Sequence, residues 1–196
     1  MTRHTAFRFV GLALVALALN IATPRESGAQ GFISPSIGFN FGGDSGCPTL
    51  TGCEDKKLNW GVAFGAINDF LGFEEEIGYA KDFFGTAPGF SSSVLTLMSN
   101  VMVVPKIGAV RPYVLGGVGL IKTHVEFSPS SLLTTSNNSF GWDVGGGVMV
   151  FFGGRVGVRG DIRYYHAFQD QTLLGISLGD TKLNFGRAAA ALVLKF

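Results

Sequence analysis

Eight polar residues in this 196-residue chain have types and spacings that could do chemistry: Glu74, Glu76, Asn100, Asp143, Arg159, Asp161, Arg163 and Arg187. Glu74 and Glu76 are two positions apart, as are Arg159, Asp161 and Arg163, so on an extended backbone each set leaves from one face. Two carboxylates on one face could exchange protons as general acid and base, but a raised acid pKa is hard to sustain beside arginines. The same residues on facing strands would form ion pairs, the condition under which charge survives burial. Such a layer would fill an interior or, as the functional alternative, gate small ions.

Other reactive types are poorly placed. His124 is followed by Val125 and Glu126, and His166 by Ala167 and Phe168. The serines at 91–93, 128, 130, 131, 136 and 139 have no histidine at a fixed short spacing, so no nucleophile–base pair is indicated. The third histidine, His4, lies in an apolar leader, and no Cys/His cluster has zinc-ligand spacing; no metal or cofactor is expected. The glycine runs GGVG and GGGV lack the following helix that a phosphate loop requires. The chain reads as a non-enzyme.

The elements that must position these residues are strands. Hydrophobic residues make up 46% of the chain and charged residues 15%, which excludes disorder, and the net charge of +1 offers no basic face for nucleic acid. Residues 1–29 read as a cleaved secretory signal: Arg3, His4 and Arg8 precede the apolar stretch Phe9–Leu19, and Ser27 and Ala29 mark a cleavage site. The remaining domain is 30–196. Export would carry Cys47 and Cys53 to an oxidising compartment, where a disulfide is favoured.

Beyond residue 30 the apolar positions alternate with period two, opening eight segments near Phe32, Leu58, Gly72, Ser93, Arg111, Phe140, Arg155 and Lys182. Each is about ten residues long, the length of a tilted membrane-crossing strand. Tight links at Asn68–Leu71, Pro105–Val110 and Phe152–Gly154 alternate with longer polar ones at Asp44–Lys56, Gly85–Ser92, Ser128–Ser139 and Gln169–Thr181. One end of an up-and-down sheet would then carry turns and the other loops. In the last segment Ala188, Ala190, Leu192, Leu194 and Phe196 share a face without charge, while Arg187, Ala189, Ala191, Val193 and Lys195 share the other. Glycines crowd the polar faces, where they would make room inside a narrow barrel, and the large apolar faces then look outward to lipid. Hydrocarbon offers no partner to an open strand edge, so the sheet must close.

The expected fold is all-β: an eight-stranded antiparallel up-and-down transmembrane β-barrel. Glu75 falls on its lipid face, which places it close to headgroups or signals a register one residue off. Lys81 and Lys122 raise the same question near the outer rim. Pro112 leaves the phase of the fifth segment open. Trp60, Phe64, Phe83, Phe84, Tyr113, Trp142, Phe151, Phe152, Tyr164 and Phe168 are expected in interfacial girdles.

The segments GFEEEIGYAKDFFG, RPYVLGGVG and GVRGDIRYYH, the signal and the final Phe196 together resemble the small OmpA-type outer-membrane β-barrel family. That resemblance implies a bacterial outer-membrane location, lipid as surroundings, and recognition of Leu192, Leu194 and Phe196 by the barrel-assembly machinery. It also implies a structural or surface-interaction role for a monomer, with any extracellular partner bound by the loops. The alternatives are a porin-like channel for small solutes or ions and a lipid A-modifying barrel enzyme, whose His-x-Ser arrangement neither His124 nor His166 matches.

Overall fold

A computed structural model describes residues 28–43, 45, 56–84, 90–127, 133–173 and 176–196, with backbone alone at 90, 127, 133–136 and 170–181. Residues 1–27 of the expected signal, and Cys47 and Cys53, lie outside the described residues. Eight strands follow in order: β1 (Gln30–Phe41), β2 (Lys57–Ile67), β3 (Leu71–Lys81), β4 (Phe90–Val103), β5 (Val110–Phe127), β6 (Leu133–Phe152), β7 (Val156–Leu173) and β8 (Ile176–Lys195). Each pairs antiparallel with the next, and β1 pairs with β8, closing the barrel. Every strand edge is thereby used, as a lipid setting demands.

The turns are built by residues suited to them. Asn68 Oδ1 accepts hydrogen bonds from the backbone N–H groups of Phe70 (2.8 Å) and Leu71 (2.6 Å), closing the β2–β3 link. Gly153 and Gly154 adopt φ of 64° and 86° in the β6–β7 hairpin, a left-handed conformation that glycine adopts without steric cost. These turns, the β4–β5 link, Gln30 and Phe196 define the turn end of the barrel. The opposite end is the loop end.

Alternation holds through the wall. Trp60, Val114 and Ile162 face outward and are 62%, 61% and 62% exposed, beside Ile37, Leu97, Val118, Val144 and Leu192. So continuous an apolar exterior suits lipid and not water. Pro112 points outward between the inward Arg111 and Tyr113, which settles the phase of β5. The register of β3 also stands: Glu74 and Glu76 are buried, and Glu75 lies on the outer face between Phe64 of β2 and Ser99 of β4. Ser99 Oγ lies 2.8 Å from both Glu75 carboxylate oxygens, a local hydrogen bond that offsets part of the cost of a polar group on the lipid face.

Two expectations are corrected. The polar stretches Ser128–Ser139 and Gln169–Thr181 are not simply loops. The β5–β6 ladder runs to Phe127↔Leu133, and the β7–β8 ladder, with irregularities between His166 and Thr172, runs to Leu173↔Ile176. Strands of 18 to 20 residues exceed the roughly ten that cross hydrocarbon, so the hairpins continue beyond it. Polar residues remain compatible with strand pairing once both faces meet water. The second correction concerns the girdles. Trp60, Phe152, Tyr164 and Phe168 face outward, but Phe83, Tyr113 and Phe151 are buried inside the lumen.

The lumen is therefore layered. Near the turn end Phe32, Ile67, Met102, Val104, Met149 and Phe151 pack together. Near the loop end Phe83, Met98, Ile121, Tyr165, Leu183 and Phe185 form a second apolar layer. Charge is concentrated between them.

Candidate functional site: the ionic layer of the lumen

Inward alternation on three strands delivers the bonded charges, and β6 adds Asp143. β3 supplies Glu74 and Glu76, β7 supplies Arg159, Asp161 and Arg163, and β8 supplies Arg187. Arg159 donates from both terminal nitrogens to Glu74 and from Nε to Asp161 Oδ2 (2.9 Å). Arg163 lies at the centre, with contacts to Glu74 (2.9 Å), Glu76 (2.7 Å) and Asp161 (3.0 Å). Arg187 donates to the other Glu76 oxygen, Oε1 (2.6 Å). A continuous chain of opposite charges, Asp161–Arg159–Glu74–Arg163–Glu76–Arg187, thus crosses the lumen.

Neutral groups complete it. Tyr113 OH accepts from Arg159 Nε (2.6 Å) and donates to Asp161 Oδ2 (2.8 Å). Tyr165 OH accepts from Arg187 (2.9 Å) and donates to Glu76 Oε2 (2.9 Å). Arg187 also reaches Asn40 Oδ1 (3.1 Å) and Thr96 Oγ1 (3.2 Å). The guanidinium carbons of Arg159 and Arg187 stand 4.8 Å and 4.5 Å from the ring centroids of Tyr113 and Tyr165. Of these neutral partners, Tyr113 is expected from the sequence in a girdle, and Tyr165, Asn40 and Thr96 are not among the residues its pattern singles out for the lumen network. Tyr165 carried a usable signal, because it shares parity with Arg163 two positions earlier. Tyr113 was concealed by the open phase around Pro112.

Two of the eight residues singled out from the sequence stand apart. Asn100 is fully buried on the lumen face, yet neither amide atom has a protein hydrogen-bond partner. Asp143 is buried with both carboxylate oxygens outside any protein hydrogen bond, and its approach to Arg163 is 3.8 Å. Both flank Gly117 in register, one on each neighbouring strand. The central layer contains the carboxylates of Glu74, Glu76, Asp143 and Asp161 against the guanidinium groups of Arg159, Arg163 and Arg187. By formal count the carboxyl groups exceed the guanidinium groups by one, and Asp143 is the least well paired of them. Asp143→Asn is accordingly expected to leave stability within about 1 kcal/mol of the parent or to raise it, since it removes a poorly paired buried charge. Guanidinium unfolding from lipid vesicles reads the difference; a loss comparable to that for a fully bonded member of the chain contradicts this account.

His166 lies on the outer surface, its ring 5.7 Å from Trp142 and 6.4 Å from Tyr164. Together the three rings form an aromatic patch on the outer wall.

Residues 10–196 match the family model described as outer membrane protein beta-barrel domain. The chain belongs to this family. It is a transmembrane β-barrel of the bacterial outer membrane. Its fold is similar to that of Neisserial surface protein A, at 17% identity over 87% of this chain and 100% of that one, with a TM-score of 0.65. It is also similar to Ail, the attachment invasion locus protein of Yersinia pestis, at 12% identity over 87% of this chain and 99% of that one, with a TM-score of 0.57. The outer membrane protein OprG of Pseudomonas aeruginosa matches at 15% identity over 86% of this chain and 96% of that one, with a TM-score of 0.55. At these identities the likeness extends to the fold. No curated protein sequence matches.

Proposed function

We propose that this outer-membrane barrel is non-enzymatic and sealed, that its turn end faces the periplasm, and that it serves a structural or surface-interaction role through its loop end. The observation that carries this reading is the ion-paired layer between two apolar layers. Permeating ions would have to displace bonded charges and cross Phe83, Phe185 and Met98 on one side and Phe32, Met102 and Phe151 on the other. A wall so filled suits a scaffold, and recognition falls to the connections at the loop end, where variation does not disturb the barrel. The long β5–β6 and β7–β8 hairpins carry those connections away from the lipid. The outward Leu192, Leu194 and Phe196 offer the assembly machinery a contiguous apolar strand. The protein acts as a monomer.

Planar-bilayer recording tests this function. Folded protein, verified by its shifted gel mobility before boiling, is expected to produce no steady conductance steps. Reproducible steps whose size changes in Glu76→Gln would instead establish the small-ion channel. Lipid A from cells overproducing the protein is expected to keep its mass spectrum; a new acylation or deacylation product would refute the non-enzymatic role.

A further inference from the structure

The ionic layer accounts for Arg159, Arg163 and Arg187, each bonded to at least one carboxylate. A fourth buried arginine is not so provided. Arg111, at the turn end of β5, is 5% exposed and has no carboxylate partner among the described residues. One terminal nitrogen donates to the Asn68 carbonyl (3.0 Å), and the guanidinium carbon stands 5.7 Å from the Phe151 ring centroid. Lys195 of β8 reaches the same ring, with Nζ 3.9 Å from the centroid, and donates to Gln30 Oε1 (3.0 Å). Lys106 in the β4–β5 link is a third cation, 3.4 Å from the exposed Asp69. Arg111, Lys195 and Lys106 line one pocket of about 350 Å³, closed on the lumen side by Phe151 and rimmed by the turn glycines Gly108, Gly153 and Gly154.

The charge balance of this pocket is the reverse of the central layer's. Three cations line it, and among the described residues only Lys106 has a carboxylate partner, the exposed Asp69. A buried cation without a counter-charge is costly, so natural interiors pair such groups or present them to a ligand. Donors also remain to be used: a guanidinium carries five N–H bonds and an ammonium three, whereas among the described residues Arg111 and Lys195 each have one oxygen acceptor. A guanidinium fork and a neighbouring ammonium together recognise a multivalent oxyanion, the first by geometry and the second as a point charge. The pocket opens at the rim, where both lipid headgroups and solutes can reach it.

We propose that the turn-end pocket binds a phosphate group, held by Arg111 and Lys195 with Lys106 at the entrance. The site does not depend on whether the lumen is sealed, because it lies outside the apolar floor formed by Phe151. The test uses the folded full barrel in uncharged glycoside micelles at low ionic strength, titrated calorimetrically with inorganic phosphate and with pyrophosphate. Saturable binding is expected, weakened about tenfold or more by Arg111→Gln and by Lys195→Gln, in keeping with the loss of a charge-assisted bond. Lys81→Gln, on the outer wall towards the loop end, is expected to leave it unchanged. Lys195 is only partly buried, so its variant maintains the test if Arg111→Gln fails to fold. A second arm places the same proteins in phosphatidylcholine nanodiscs containing a minority of phosphatidic acid and measures co-purifying lipid by mass spectrometry. Enrichment of phosphatidic acid lost in the variants identifies a lipid headgroup as the source; phosphate binding without enrichment identifies a soluble phosphate compound. No binding in either arm, or binding that both glutamine variants retain in full, overturns the proposal.

Discussion

Arg163→Gln is expected to destabilise the barrel by about 3–5 kcal/mol, the usual cost of removing one partner from a buried, multiply bonded ion pair. Arg163 contacts Glu74, Glu76 and Asp161 within 3.0 Å, and no other arginine among the described residues touches all three. Its loss leaves Arg159 and Arg187 against the four carboxyl groups of the layer. Equilibrium unfolding in guanidinium from lipid vesicles, followed by tryptophan fluorescence, measures the change. The double variant Arg163→Gln/Glu76→Gln lowers the formal carboxylate excess by one but also takes from Arg187 its carboxylate partner, so recovery is expected to be partial at most, and the non-additivity measures the coupling of the pair. A single-variant loss below about 1 kcal/mol would mean that these charges are screened by water as surface pairs are.

Gly78→Val is expected to act on the same layer by sterics alone. Gly78 faces the lumen on β3, and a methyl group on its Cα would stand 2.5 Å from Arg187 Nη1 and 2.7 Å from Thr96 Oγ1. A valine must push the Arg187 guanidinium away from Glu76, combining overpacking with a broken ion pair, for a loss of about 3 kcal/mol or more. Failure to show the shifted mobility of a folded barrel before boiling is the extreme form of that result. Gly160→Ala is the matched control. Its added methyl meets nothing within 4 Å on the outer wall, so it is expected to be neutral or stabilising by about 0.4–1 kcal/mol. Equal effects of the two substitutions would show that glycine at position 78 serves the backbone and not the arginine.

Both predictions use a division of labour partly visible in the residue pattern. Parity of two places Glu74, Glu76, Arg159, Asp161, Arg163 and Arg187 on the inner side of their strands, because a strand leaves no third direction for a side chain. Parity does not tell whether charges that share a surface are bonded. Asn100 and Asp143 have the same inward phase, yet the first has no protein hydrogen bond and the second only a 3.8 Å approach to Arg163. Which side chains meet depends on stagger between strands, and the partners Arg159 and Glu74 are 85 positions apart. Polarity also misled at Ser128–Ser139 and Gln169–Thr181, since a hairpin wet on both faces keeps its ladder without an apolar signature.

From its residues alone this chain determined an all-β architecture, eight crossings, the tight turns after Asn68 and Phe152, and an exterior of Trp60, Val144, Ile162 and Leu192 with charges within. These follow from local rules: a period of two, glycine and asparagine at turns, and the impossibility of an open edge in hydrocarbon. Only the closed barrel decided that Phe83, Tyr113 and Phe151 turn inward, that two apolar layers enclose the ionic one, and that Arg111 and Lys195 share a pocket without a buried acid. The physical reason is closure itself. It brings β8 beside β1 and sets every strand's height against its neighbours, and no segment of the chain carries that information by itself.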